Sequence, residues 1–146
     1  LQNLAQKYTF RMLVISNQPP EMQLDNLHYI PWTQPREVED LREMHIGIMP
    51  LPDDPWARGK CGFKALQYLS LGIPALVSPV GVNTEIVAHG YNGFHCTTEE
   101  DWHRYLAILL EDATMRIRLG QAGRKTVEEH YSVKANTENF LRLFEA

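Results

Sequence analysis

Arg58-Gly-Lys-Cys-Gly-Phe-Lys-Ala-Leu-Gln-Tyr-Leu-Ser-Leu-Gly-Ile-Pro-Ala-Leu-Val-Ser78 is the stretch on which the reading of this chain turns. A basic loop bearing Gly59 and Gly62 runs into a helical pattern from about Phe63 to Leu71. Gly72 and Pro74 stop that helix, and Ala75-Leu-Val-Ser78 reads as a buried strand. At a helix start the first backbone N–H groups lack partners and the helix dipole favours an anion. Gly59 and Gly62 let the backbone approach a ligand closely. Arg58, Lys60 and Lys64 place three cations in the same seven residues. Together they suit a diphosphate. From spacing alone, a solvated basic loop capping a core helix stays open beside that reading. The loop is neither the GxxxxGK[ST] phosphate loop nor GxGxxG, so neither an ATPase nor a dinucleotide enzyme is indicated.

Upstream, Leu1, Leu4 and Ala5 have the spacing of the tail of a helix. Arg11–Ser16 is a short apolar run closed by Asn17-Gln-Pro-Pro20, and Leu27–Ile30 is a second run closed by Pro31. Pro35 fits the first turn of a helix to about Met44, with Val38 and Leu41 facing inward. His45–Ile48 is a third strand, and residues 49–62 are irregular. Downstream, a short helix over Thr84–Ala88 is expected, with Asn83 as its cap and Glu85 in its first turn. Phe94–Cys96 is a short fifth strand. Trp102, Tyr105, Leu106, Leu109 and Leu110 recur at helical steps behind a Thr98 N-cap, with Asp101 in the first turn. A second long helix covers about Ala113–Glu129 despite Gly120 and Gly123. Ser132 caps a last helix carrying Val133, Phe140, Leu143 and Phe144. Alternating strands and helices predict an α/β fold: a Rossmann-like parallel sheet with helices on both faces. Such sheets bind ligands at the C-terminal ends of their strands. The segment from Met49 to Lys64 lies at that edge.

With 146 residues the chain is the size of one domain and can bury a core without disulfides or metals. A net charge of -4 leaves no electrostatic footprint for nucleic acid or an anionic membrane surface. No apolar run is long enough to span a membrane. Cys61 and Cys96 form no CxxC pair and read as free thiols of a reducing cytoplasm. The histidines form no compact metal motif, and no metal is expected.

The stretch Gly59–Ser78, followed by Pro79-Val-Gly-Val-Asn83-Thr-Glu-Ile-Val87 and by His89-Gly90-Tyr-Asn-Gly93, resembles the C-terminal domain of retaining glycosyltransferases of GT-B architecture (group 1, family 4-like). That family's signature is a glycine-rich loop and a helix carrying two glutamates, a Gly-x-Pro-strand, a Gly-x-x-x-Glu-Ile-Val segment and a Gly-x-x-Gly turn. The resemblance covers nearly the whole chain, including Ile46-Gly-Ile-Met-Pro50. It implies a donor domain over residues 1–146, with its first strand and that strand's phosphate ligands lying upstream. It also implies that a segment over residues 132–146 packs toward an N-terminal, acceptor-binding domain.

The resemblance implies roles residue by residue. The backbone about Gly62 and Phe63 would contact the donor's diphosphate, and Gln67, at the second glutamate position, would face the ribose hydroxyls. The first glutamate position falls on Gly59. These departures resemble a branch whose loop reads Gly-Lys-Cys-x-Phe-Lys. There Lys60 and Lys64 would bind the anion and stabilise the departing diphosphate, with Cys61 between them in the loop. Trp32 and Thr33 match the strand end beside the nucleobase. Packing of Trp32 on Pro31 or Pro35 for shape stays open. Trp56 would cover the pocket or meet the other domain, or stand as a mobile surface aromatic. The implied substrate is a nucleotide diphosphate sugar (UDP- or GDP-sugar), with no further cofactor. The sugar would pass to a glycan or lipid-linked acceptor with retention. One half cannot position both reactants, so this chain alone is expected to be inactive. The parent is expected in the cytoplasm, where it can sit peripherally at the inner face of the membrane. The rival readings are a sugar-nucleotide epimerase of the same architecture and a non-catalytic nucleotide-sugar-binding module. A receiver-type signalling domain would need an acid cluster at its strand ends, which Asp53 and Asp54 in a Pro-rich loop do not supply.

Overall fold

A computed structural model describes residues 1–144 of the chain. Residues 145 and 146, the end of the expected docking segment, lie outside the described residues. The strands fall where the apolar runs lie: β1 (Met12–Ser16), β2 (Leu27–Pro31), β3 (Gly47–Met49), β4 (Ala75–Val77) and β5 (Gly93–His95). All neighbouring pairs are parallel. The alternation predicts a single sheet, whereas the described residues form two, in the orders β1-β2 and β3-β4-β5. Among the described residues β1, β2 and β3 each keep one edge unpaired. The two sheets nevertheless share a core, because Ile15 of β1 and Met49 of β3 pack against one cluster built on Tyr68, Leu69, Ala75, Val77 and Val87.

The helices are α1 (Gln2–Lys7), α2 (Glu37–Leu41), α3 (Pro55–Arg58), α4 (Phe63–Ser70), α5 (Asn83–Ile86), α6 (Glu99–Glu111), α7 (Ala113–Thr126) and α8 (Val133–Leu141). Several depart from expectation. The helix expected from Pro35 to Met44 splits into a 3-10 turn over Gln34–Arg36 and the short α2. In α2 the inward face is Glu37, Asp40 and Leu41, at steps of three and four. Leu41 is buried as expected, but Val38 points to solvent. The irregular stretch contains α3, which Asp54 caps by accepting from the Ala57 N–H. Asn83 does not cap α5. It is buried in the helix's first turn, and its Nδ2 donates to the Ser78 carbonyl. Beyond α7 the chain continues as a π turn over Val127–Tyr131.

α6 closes as the sequence indicates. Thr98 and Asp101 form a capping box, and Asp101 accepts from the Thr97 and Thr98 N–H groups. The cluster beneath it joins Leu109 to Leu76, Phe94, Cys96 and Leu119. Gly120 and Gly123 of α7 are accounted for by close approach. A Cβ on Gly120 would overlap the Gly72 carbonyl, and one on Gly123 would stand 2.6 Å from Leu69 Cδ2. The apolar residues of α8 and of the 3-10 turn over Arg142–Phe144 stand exposed, Val133 at 89% and Phe144 at 73%, with the Phe140 and Phe144 rings packed edge to face. No described helix is long and apolar enough to cross a membrane.

Candidate functional site

The site is assembled where β2 and β3 end and the following segments begin. Trp32 follows β2, its N–H donating to the Ser16 carbonyl at 3.0 Å, and Thr33 leads into the 3-10 turn. Both are exposed. From β3 the chain passes through α3 to the loop Gly59–Gly62 and into α4. Two hydrogen bonds fix this crossing at the sheet edge: Leu51 N–H donates to Ser78 Oγ, and Ser78 N–H donates to the Met49 carbonyl.

Gly62 sets the start of α4. Its φ is 65°, in the left-handed region, and a side chain there would run into Ile86 and Val82, the latter's Cγ2 being 3.1 Å from an ideal Cβ. The face of Gly62 that lacks a Cβ is therefore filled by α5. α4 starts without a side-chain cap, so among the described residues no side chain claims its first N–H groups. Phe63 is exposed beside them, and Gly59, Lys60 and Cys61 are exposed in the loop. Among the described residues Lys60 makes no ion pair. Arg58, read from sequence as part of the basic cradle, is turned away by a two-pronged ion pair with Asp53 at 2.7 and 3.1 Å.

Lys64 and Gln67, one helical turn apart, are brought together. Lys64 Nζ donates to Gln67 Oε1 and to Glu37 Oε1, both at 2.9 Å. Glu37 did not stand out in the sequence. The signal that finds it is its place as the first acid after β2, sharing a face with Asp40 and Leu41. Its carboxyl is held below the usual carboxylate range, chiefly by the Lys64 ammonium and next by the Gln67 amide. The Trp32 side chain adds to this, while burial works against it. Glu37 stays ionised and acceptor-only, with its side chain 21% exposed against 44% for Lys64. The row Trp32–Glu37–Lys64–Gln67 thus sets an aromatic ring, a carboxylate, a cation and an amide beside an uncapped helix start.

Among the described residues no cluster of three or more His, Cys, Asp or Glu groups forms a metal site. A concavity of about 480 Å³ lies elsewhere, at the N-terminal ends of β1 and β2, lined by Gln6, Tyr8, Phe10 and Asn26 among others. None of the site residues picked from sequence lines it, and the one charged residue in its lining is Asp25.

Parallel strands and an anion-ready helix start at their C-terminal ends define a Rossmann-like α/β domain. The chain belongs to the family described as glycosyl transferases group 1, whose profile matches residues 21–126. It is 26% identical over 129 residues to the spore coat protein SA of Bacillus subtilis (strain 168), a match covering 85% of this chain and 33% of that protein. The chain thus spans about a third of that relative's length. Among solved structures it resembles the sucrose-phosphate synthase of Thermosynechococcus elongatus, with a TM-score of 0.71 and 17% identity over 83% of this chain and 30% of the other. It also resembles Anabaena HepE in complex with UDP-glucose, with a TM-score of 0.61 and 16% identity over 84% of this chain and 33% of the other. The fold is that of the C-terminal, Rossmann-like half of the GT-B architecture.

Proposed function

We propose that this chain binds the nucleotide sugar in a two-domain sugar transferase, and that the diphosphate lies on the start of α4. The observation that carries this reading is the row of Trp32, Glu37, Lys64 and Gln67 beside the uncapped α4. Backbone N–H groups about Phe63 and the helix dipole hold the diphosphate, with Lys60 and Lys64 as counter-charges. Lys60 and Lys64 stabilise the charge that builds on the leaving diphosphate. Gln67 faces the ribose, and Trp32 with Thr33 borders the base. The bound ligand of HepE favours UDP over GDP. The loop Gly59–Lys64 supports the reading of a Gly-Lys-Cys-x-Phe-Lys branch. We assign retention of configuration and a glycan or lipid-linked acceptor held by a second domain. The exposed apolar residues of α8 are the surface on which that domain sits, and the unpaired edges of β1 and β3 suit a further strand.

Calorimetric titration of UDP, GDP and ADP into the chain and into a Lys60→Ala, Lys64→Ala double variant tests this reading. One nucleotide binding selectively, with at least a tenfold loss in the double variant, is the expected result. Equal affinity in the two proteins would remove the lysines from the site.

A further inference from the structure

Glu37 holds Lys64, in the first turn of α4, through a contact of 2.9 Å, which sets a carboxylate beside the start of that helix. We propose that Glu37 is the residue that selects the ribose: it takes the vicinal diol of the nucleotide when Lys64 leaves it for the diphosphate. The inference rests on the donor-site reading and adds to it a specificity residue and a partner exchange.

Three observations carry it. First, Glu37 and Gln67 share one ammonium, each accepting from Lys64 Nζ at 2.9 Å. Second, the pair is partly open to solvent, 44% at Lys64 and 21% at Glu37, and a solvent-accessible ion pair contributes only about 0–1 kcal/mol. Lys64 swings on a flexible four-carbon stem and can exchange its partner at little cost. Third, a carboxylate stripped of its ammonium needs donors, and two adjacent hydroxyls are the donor pair that fits its two oxygens. Gln67 cannot do this as well, because an amide offers one acceptor oxygen and no charge. Carboxylate and helix start flank the same lysine, so one ligand carrying both a diol and a diphosphate satisfies both.

The exchange makes the two halves of the ligand cooperate. Inorganic pyrophosphate must break the Lys64–Glu37 pair and leaves Glu37 uncovered. A nucleoside must displace Lys64 from Glu37 with no anion to receive it. Only a nucleoside diphosphate compensates both groups. Replacing the carboxylate by an amide therefore has opposite effects on the two ligands. Glu37→Gln frees Lys64 and removes a nearby negative charge, which strengthens pyrophosphate binding. The same change weakens the grip on the diol.

The test measures dissociation constants of UDP, 2′,3′-dideoxy-UDP and inorganic pyrophosphate for the chain, for Glu37→Gln and for Glu37→Gln combined with Gln67→Glu. Circular dichroism and thermal melts establish that each variant is folded. The unaltered chain is expected to prefer UDP to the dideoxy compound by about ten- to a hundredfold, the worth of hydrogen bonds to a charged group. In Glu37→Gln that preference falls to within about threefold while pyrophosphate binds more tightly, by the same reasoning on a charge-assisted contact. The double variant puts a carboxylate back, from α4, and regains the preference. A preference that survives Glu37→Gln, or is absent in the unaltered chain, overturns the role of Glu37 while UDP binding still supports the donor site. Failure of all three ligands to bind the chain overturns both.

Discussion

Gly120→Ala separates local propensity from packing, because the two predict opposite signs. In a helix interior, replacing Gly by Ala removes backbone freedom from the unfolded chain and gains about 0.5–1 kcal/mol. In this fold α7 crosses the end of α4 at Gly120, and a Cβ there would stand 2.7 Å from the Gly72 carbonyl carbon, against 3.4–4 Å for an ordinary contact. The neighbour is backbone, at the turn that feeds β4, so no side chain can swing aside. The Gly72 carbonyl oxygen is nearer still, so relief requires α7 and that turn to separate by more than about 1 Å, and overpacking of this kind costs about 1–3 kcal/mol. The collision outweighs the propensity gain, leaving a net loss of about 1–2 kcal/mol. At about 2–4 °C per kcal/mol for a chain of this size, the melting temperature falls by roughly 2–8 °C. Urea denaturation followed by circular dichroism measures the loss directly. Gly59→Ala is the control: a Cβ at Gly59 meets only the Trp56 carbonyl oxygen at 3.6 Å and the Pro55 carbonyl oxygen at 3.8 Å. Its stability is expected to change by less than about 0.5 kcal/mol. A Gly120→Ala protein as stable as the parent, or more so, would refute the close crossing of α7 over Gly72.

Thr98→Ala removes half of the capping box of α6 and is expected to cost about 1 kcal/mol in the same urea assay. Asp101 has its carboxyl held below the usual range, first by the Thr98 backbone N–H and then by that of Thr97. A lowered folded value means stability that is present above the ordinary Asp value of about 4 and is lost as pH falls toward the folded value. Melts from neutral pH to about pH 2 should therefore show the parent's advantage over Asp101→Asn shrinking in the acid limb; a constant gap would remove the ionised carboxylate from the cap. Burial, with a smaller push from Asp101, raises the Cys96 thiol to about 12, while Cys61 stands exposed. Iodoacetamide should thus label Cys61 alone in the folded chain and both thiols in denaturant, as read by mass spectrometry; native labelling of Cys96 would contradict its place beneath α6.

The elements were legible where period and punctuation agreed. The apolar runs about Val14, Ile30, Ile48 and Leu76 each became a strand, and the Thr98 and Ser132 caps each open a helix. Short elements were harder, since a one-turn helix has no period to count. Val38 and Asp40 exchange the sides that hydropathy alone would give them, because α2 is aimed by the turn at Pro35 and by the Arg36–Asp40 ion pair. Sequence also carries no record of which strands pair, so the division into two sheets became visible only in space. Of the site, the loop and α4 could be read locally, whereas Glu37 lies 27 residues from Lys64 and owes its place to the approach of α2. Arg58 is paired locally, with Asp53 five residues upstream, and a count of cations alone does not register that partner.

A nucleoside diphosphate bound on the start of α4, between the ends of β2 and β3, would be detected by titrating UDP into isotopically labelled chain and following amide and indole N–H resonances. Shifts are expected to concentrate at Gly62, Phe63, Lys64 and Gln67 and at the Trp32 indole, with the Trp102 indole unmoved. Shifts centred on Gln6, Tyr8 and Asn26 at the opposite end of β1 and β2, or none at α4, would contradict binding there.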